Sequence, residues 1–190
     1  MIAAAVVASM LAVAGAQGAS DGASLSEAAL FHVRARDARA QSWIRAGVSA
    51  SRTFRTLIDR LAGSDVIVYV EIVDRIPGGA AGQMYFVTAT ATTRYVRIEV
   101  IEDGSPNDMV VLVGHELQHA VEVADAPRVR DRQSLATLYM AMGENGFSRT
   151  QYDSIAARVT EERVRTELSG YRGFATGSPA QTLARLKTRK

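Results

Sequence analysis

Apolar and polar positions follow three regimes along this chain: helical spacing first, then alternation, then helical spacing again. Ser24 to Ala40 reads as a helix, with Ser24 or Ser26 available as cap and Glu27 in its first turn. Trp43 to Ala62 continues helically, with Ile44, Val48, Leu57, Ile58 and Leu61 on one face and Gly63 as the stop. Val66 to Val73 is too short for a helix and rich in β-branched residues, so it predicts a buried strand. Pro77-Gly78 suits a turn with positive φ at the glycine. Gln83 to Ala91 and Arg94 to Ile101 predict two more strands. In the second, Val96, Ile98 and Val100 alternate with Arg97 and Glu99, as in a sheet with one wet face. Ser105-Pro106-Asn107-Asp108 opens a helix that runs from Met109 to about Ala124 and stops before Pro127. Gln133 to Met142 and Thr150 to Gly170 predict two further helices, separated by a turn at Gly143-Glu144-Asn145-Gly146.

The pattern implies one α+β domain: N-terminal helices, a small, mostly antiparallel three-stranded sheet, then three helices. Its expected bounds are residues 17–175, with a basic tail over 176–190 that carries Arg185, Lys187, Arg189 and Lys190. A length of 190 residues agrees with a single domain. Ile2 to Ala14 is apolar and ends in Ala14-Gly15-Ala16, the pattern of a cleaved secretory signal over residues 1–16. No Lys or Arg precedes the run, and it is too short for a spanning helix. The expectation is therefore an exported protein, periplasmic or extracellular, with no membrane span after cleavage. Twenty of the 22 basic residues are Arg, which raises the isoelectric point while the net charge stays at +2. That small charge and 6% aromatic content argue against a nucleic-acid partner. The absence of Cys excludes disulfides, thiolate metal sites and Cys nucleophiles.

The candidate chemistry lies in His115-Glu116-Leu117-Gln118-His119, an H-E-x-x-H pattern inside a predicted helix. Residues four apart share a helix face, so both imidazoles can reach one metal ion, and Glu116 stands beside them as a base for water. Two of the chain's three His residues form this pattern. The third, His32, reads as a partly buried histidine rather than a ligand. Glu122, one turn after His119, is either a carboxylate holding an imidazole N–H or a surface acid paired with Arg128 or Arg130. Tyr152 and Tyr171 are candidate oxyanion donors, with a core aromatic role as the plainer reading. Gly78 to Gly82 fits no phosphate loop and reads as a loop bordering the cleft.

Gly114 to His119, extended through Ala120-Val121-Glu122-Val123, resembles the active-site helix of the zincin-type zinc metallopeptidases and, in its longer run, a group of short exported bacterial proteins. The resemblance covers roughly residues 66–170 and implies a zincin-like half-domain, one Zn2+ on His115 and His119, Glu116 as catalytic base, and a peptide or protein substrate. No Gly-x-x-His follows His119, so the three-His variant does not fit and an acidic third ligand is expected, as in the gluzincin and aspzincin branches. The last predicted helix carries an apolar stripe at Ala157, Val164, Leu168 and Tyr171, with Asp153 near its centre and Glu161 and Glu167 on its flanks. Asp153 ranks first, Glu167 second and Glu161 third. The family pattern has Glu where this chain has Asp153, and Thr150-x-x-Asp153 also resembles a capping box that would explain Asp153 without a metal. The expected function is an exported zinc peptidase; the alternative is a non-catalytic zincin-like module that binds a metal or a partner protein.

Overall fold

Nine elements run along the residues that the computed structural model describes, 31–142 and 153–171. Strand β1 (Val33–Ala35) leads into helices α1 (Ala38–Ala50) and α2 (Arg52–Ala62). Strands β2 (Val66–Ile72), β3 (Gly82–Ala89) and β4 (Arg94–Val100) follow, then helices α3 (Pro106–Asp125), α4 (Arg132–Ala141) and α5 (Ile155–Gly170). Among these residues no helix is long and apolar enough to cross a membrane. The apolar run at the N-terminus, the Gly143–Gly146 turn, Thr150, Tyr152 and the basic tail lie outside the described residues.

The class is α+β, but the sheet differs from the expected three mostly antiparallel strands. It has four, in the order β1-β2-β4-β3. β1 and β4 both pair parallel to β2, and only β3 runs antiparallel, against β4. The extra strand comes from Val33–Ala35, which pairs with Val68–Val70 instead of extending a helix back to Ser24. Three residues carry too little periodicity to announce a strand, and their partner lies some thirty-five positions away. Helix α1 starts only at Ala38, because the Asp37 side chain accepts the amides of Arg39 and Ala40.

The expected continuous helix to Ala62 is also broken, at Ser51. Its extended backbone ends α1, and its hydroxyl accepts the Phe54 amide to start α2. Gly47 lets the two helices close on each other: a Cβ there would meet the Phe54 ring at 2.6 Å. Gly63 and the Ser105–Asp108 capping box stand where the sequence puts them, as does positive φ at Gly78.

One sheet face carries the core. Val66, Val68 and Val70 of β2, Phe86 of β3, and Val96, Ile98 and Val100 of β4 are buried beneath the helices. The opposite face carries Tyr69, Glu71, Gln83, Tyr85, Tyr95, Arg97 and Glu99, tied by cross-strand bonds such as Tyr85 to Glu99 at 2.8 Å. α3 lies between this core and α1, α2 and α5, so nearly its whole circumference is buried. Arg94, 1% exposed, anchors its end: the guanidinium donates to Asp65 and to the carbonyls of Val123, Ala124 and Ala126. Helix termini leave such carbonyls without partners, and Arg94 supplies them from a neighbouring strand.

Candidate metal centre

Helical spacing sets His115 and His119 one turn apart on α3, with ring centroids 5.1 Å apart and planes at 74°. Each ring is held from its Nδ1 side. Nδ1 of His115 lies 3.1 Å from Glu161 Oε2, on α5. Nδ1 of His119 lies 2.9 Å from Glu122 Oε2, which also accepts the Tyr139 hydroxyl at 3.0 Å. The second oxygen of Glu122 accepts the Ser154 hydroxyl. A carboxylate only accepts, so these contacts make Nδ1 the protonated nitrogen and leave both Nε2 lone pairs for a ligand. Carboxylates behind imidazoles in this way are the usual means of fixing a metal-binding histidine.

Asp153 completes the group. Its Oδ1 lies 3.6 Å from His115 Nε2, beyond hydrogen-bond length, and is buried without a hydrogen-bond partner. One ligand atom each from His115, His119 and Asp153 falls within 4.8 Å of the others. Tetrahedral coordination at zinc bond lengths needs about 3.4 Å between ligand atoms, so a small inward movement suffices. A buried carboxylate oxygen without a donor is costly, and a cation among these three atoms removes that cost. The residues therefore fit a divalent metal such as zinc. Asp153 Oδ2 accepts from Arg158 at 3.0 Å, while Ser154 supplies the side chain that caps α5.

The other two candidate ligands have different partners. Glu161 stands behind His115 and accepts from Arg165 at 2.8 Å. Glu167 accepts from Ser51 Oγ at 2.5 Å, the Thr53 amide at 3.0 Å and Thr53 Oγ1 at 2.9 Å, so it caps α2 about four turns away from Asp153. Tyr171, at the far end of α5, places its hydroxyl 3.3 Å from Ser49 Oγ. His32 precedes β1 and points Nδ1 at the Val66 carbonyl, 3.0 Å away. None of these four supplies an atom to the His115–His119–Asp153 group.

Glu116 is 4% exposed, and burial lifts its carboxyl to a pKa of about 7; His119 pulls it down, Asp153 pushes it up, and the Met84 amide pulls it down. Gly82, where β3 begins, is what admits this side chain: a Cβ there would meet Glu116 Oε1 at 2.8 Å. Burial and the nearby His119 charge lower the pKa of His115 against the pull of Asp153 and Glu161. Burial also opposes a charge on His119, but Glu122, Glu116 and Asp153 outweigh it and hold that pKa above the usual value. Glu122 itself is held below the usual range: burial opposes its charge, but the His119, Ser154 and Tyr139 bonds prevail. Four carboxyl groups thus surround two imidazoles, an environment that favours an added cation.

Sequence reasoning did not single out Tyr139 or Ser154. Tyr139 falls on an ordinary amphipathic helix, and Ser154 carries no spacing that links it to Glu122, 32 positions earlier. No known family model, curated protein or solved structure matches the chain.

Proposed function

We propose that the chain is a zinc-dependent peptidase of zincin-like construction, exported by the apolar segment at its N-terminus. The observation that carries this reading is the orphaned Oδ1 of Asp153 facing the free Nε2 side of the two α3 histidines. His115, His119 and Asp153 would hold the ion, and the chemistry it would supply there is Lewis acidity, lowering a water's pKa towards ~7.

Glu116 sits beside the two histidines with a pKa of about 7, near neutral pH, where its carboxylate accepts a proton from water and returns it to the leaving amine. Glu122 and Glu161 fix the imidazole orientations throughout. β3 is the edge strand of the described sheet and begins against Glu116, so the side of it away from β4 is where an extended peptide would pair beside the base. The bond cleaved is then an amide, presented in strand conformation.

Turnover of a mixed peptide library by the wild type and by Glu116→Gln tests this reading. An amide cannot accept the proton, so the variant keeps zinc and fold and loses at least ~100-fold in turnover. Equal turnover by both proteins contradicts it. One observation favours a non-catalytic metal-binding module instead: the Arg158 pair draws negative charge from the third ligand. In that case zinc binds and neither protein cleaves the library.

A further inference from the structure

The strand that begins at Glu116 ends in a cationic groove. β3 and α4 run side by side in opposite directions. The β3 start abuts Glu116, and the Tyr139 end of α4 reaches His119, 3.0 Å from its Nδ1. At the other end, Phe86–Ala89 and Arg130–Gln133 line a cavity of about 610 Å³. Here β3 is irregular: Phe86 pairs with Val96 and Thr88 with Tyr95, so Val87 is an extra residue without a β4 partner, 42% exposed. Such a bulge re-aims an edge strand.

The charges at this end do not balance. Asp131 is committed to the α4 N-terminus, where its carboxylate accepts the Ser134 amide at 2.7 Å. Arg130 reaches across to the Thr90 carbonyl. Arg132 makes no ion pair among the described residues; its guanidinium lies 6.0 Å from the Tyr85 ring centroid. An exposed cation with no carboxylate partner among the described residues, beside the edge strand of the described sheet, is complementary to a carboxylate on a second strand.

We infer that this groove binds an extended peptide carrying an acidic side chain, with Arg132 as the selecting charge and Arg130 beside it. The inference rests on the peptidase reading, and it adds a substrate class: sequences with Asp or Glu a few residues from the scissile bond. Strand order sets the spacing. The Arg132 guanidinium lies by Tyr85, the residue after Met84, whose amide bonds Glu116, and the groove continues from there along Phe86–Ala89. The acidic side chain therefore sits within a few residues of the bond that Glu116 serves.

The test is peptide binding to the full chain carrying Glu116→Gln, which keeps hydrolysis out of the readout. The probes are a fluorescein-labelled octapeptide of alternating valine and glutamate and its valine–lysine counterpart, followed by anisotropy. The glutamate peptide is expected to bind about tenfold tighter. Arg132→Gln added to that background should reduce the preference to about twofold or less, whereas Arg163→Gln, which removes the same charge from the exposed face of α5, should leave it intact. Binding of neither peptide, equal binding of both, or equal loss from Arg132→Gln and Arg163→Gln overturns the inference. Selective binding by a protein whose wild type cleaves nothing keeps the groove and removes the peptidase reading, so the two failures are separable.

Discussion

Glu122 joins two parts of the site that are far apart in sequence. One of its oxygens faces His119 and Tyr139, and the other takes the hydroxyl of Ser154, the neighbour of Asp153. The same carboxylate therefore orients one proposed ligand and positions the backbone that carries another. Glu122→Gln keeps the shape, but its neutral carbonyl is a weaker acceptor for the imidazole, so zinc affinity should fall by about 10- to 100-fold in a competition titration. Asp153→Ala should fall further, having lost a ligand. Glu167→Ala separates ligand from cap: its zinc affinity should equal that of the wild type while stability drops by about 1 kcal/mol in urea unfolding. Weakened zinc in Glu167→Ala would restore it as a ligand. At this scale the sequence exposed the helical trio, because His115, Glu116 and His119 are bound by one turn of helix. The ranking of Asp153 over Glu161 and Glu167 rests on a helix expected from Thr150, which puts Asp153 on the apolar stripe; the helix instead starts at Ile155, and Asp153 lies ahead of its cap. The pairing of Glu161 with His115 was hidden, since it depends on how α5 lies across α3.

Among the elements, α3 depends most on a residue outside itself. Arg94 of β4 donates to three carbonyls at its end and to Asp65, so Arg94→Met should cost about 3 kcal/mol or more by leaving buried acceptors unpaired. Thermal or urea unfolding reads this directly, and a change below about 0.5 kcal/mol would show that water replaces the guanidinium. The pair also sets a pH response. Hydrogen bonds from Arg94 hold the Asp65 carboxyl below its ordinary pKa of 3.8, against the effect of partial burial. A depressed pKa gives stability that is fully present above the ordinary value and lost as pH falls through the lowered one. Arg94→Met should flatten that acid limb of the stability curve. Gly82 is the matching constraint at β3. Gly82→Ala presses a methyl on Glu116 and Leu112, so turnover should fall while zinc content stays at the wild-type level. The strands and capped helices were legible because Val96–Val100 alternate and Ser105-Pro106-Asn107-Asp108 is a local signal. Arg94 reads in sequence as the wet start of a strand, and nothing nearby marks it as buried. The break at Ser51 was missed because apolar spacing continues through it, while the groups that fix it, Glu167 and the Phe54 amide, lie partly on a distant helix.

For the whole molecule, the sheet order decides where a substrate can lie. Placing β4 between β2 and β3 makes β3 the edge, and its antiparallel direction brings its first residue to Glu116. Local sequence does not encode that order, because both parallel pairings join strands separated by long connections; hence the expected three-stranded sheet lacked β1. The helices bury one sheet face, and the candidate ligand atoms come from α3 and from Asp153, two residues before α5. An ion there ties α3 to α5 and binds only the folded chain, so zinc at 100 times its dissociation constant should add about 2.7 kcal/mol of stability. The central claim is that His115, His119 and Asp153 form one metal site. It is tested most directly by zinc analysis of the purified chain after reconstitution and gel filtration, alongside His119→Ala. The account predicts one zinc per wild-type chain and none retained by the variant. Wild-type protein without stoichiometric zinc, or equal zinc in both proteins, would contradict it.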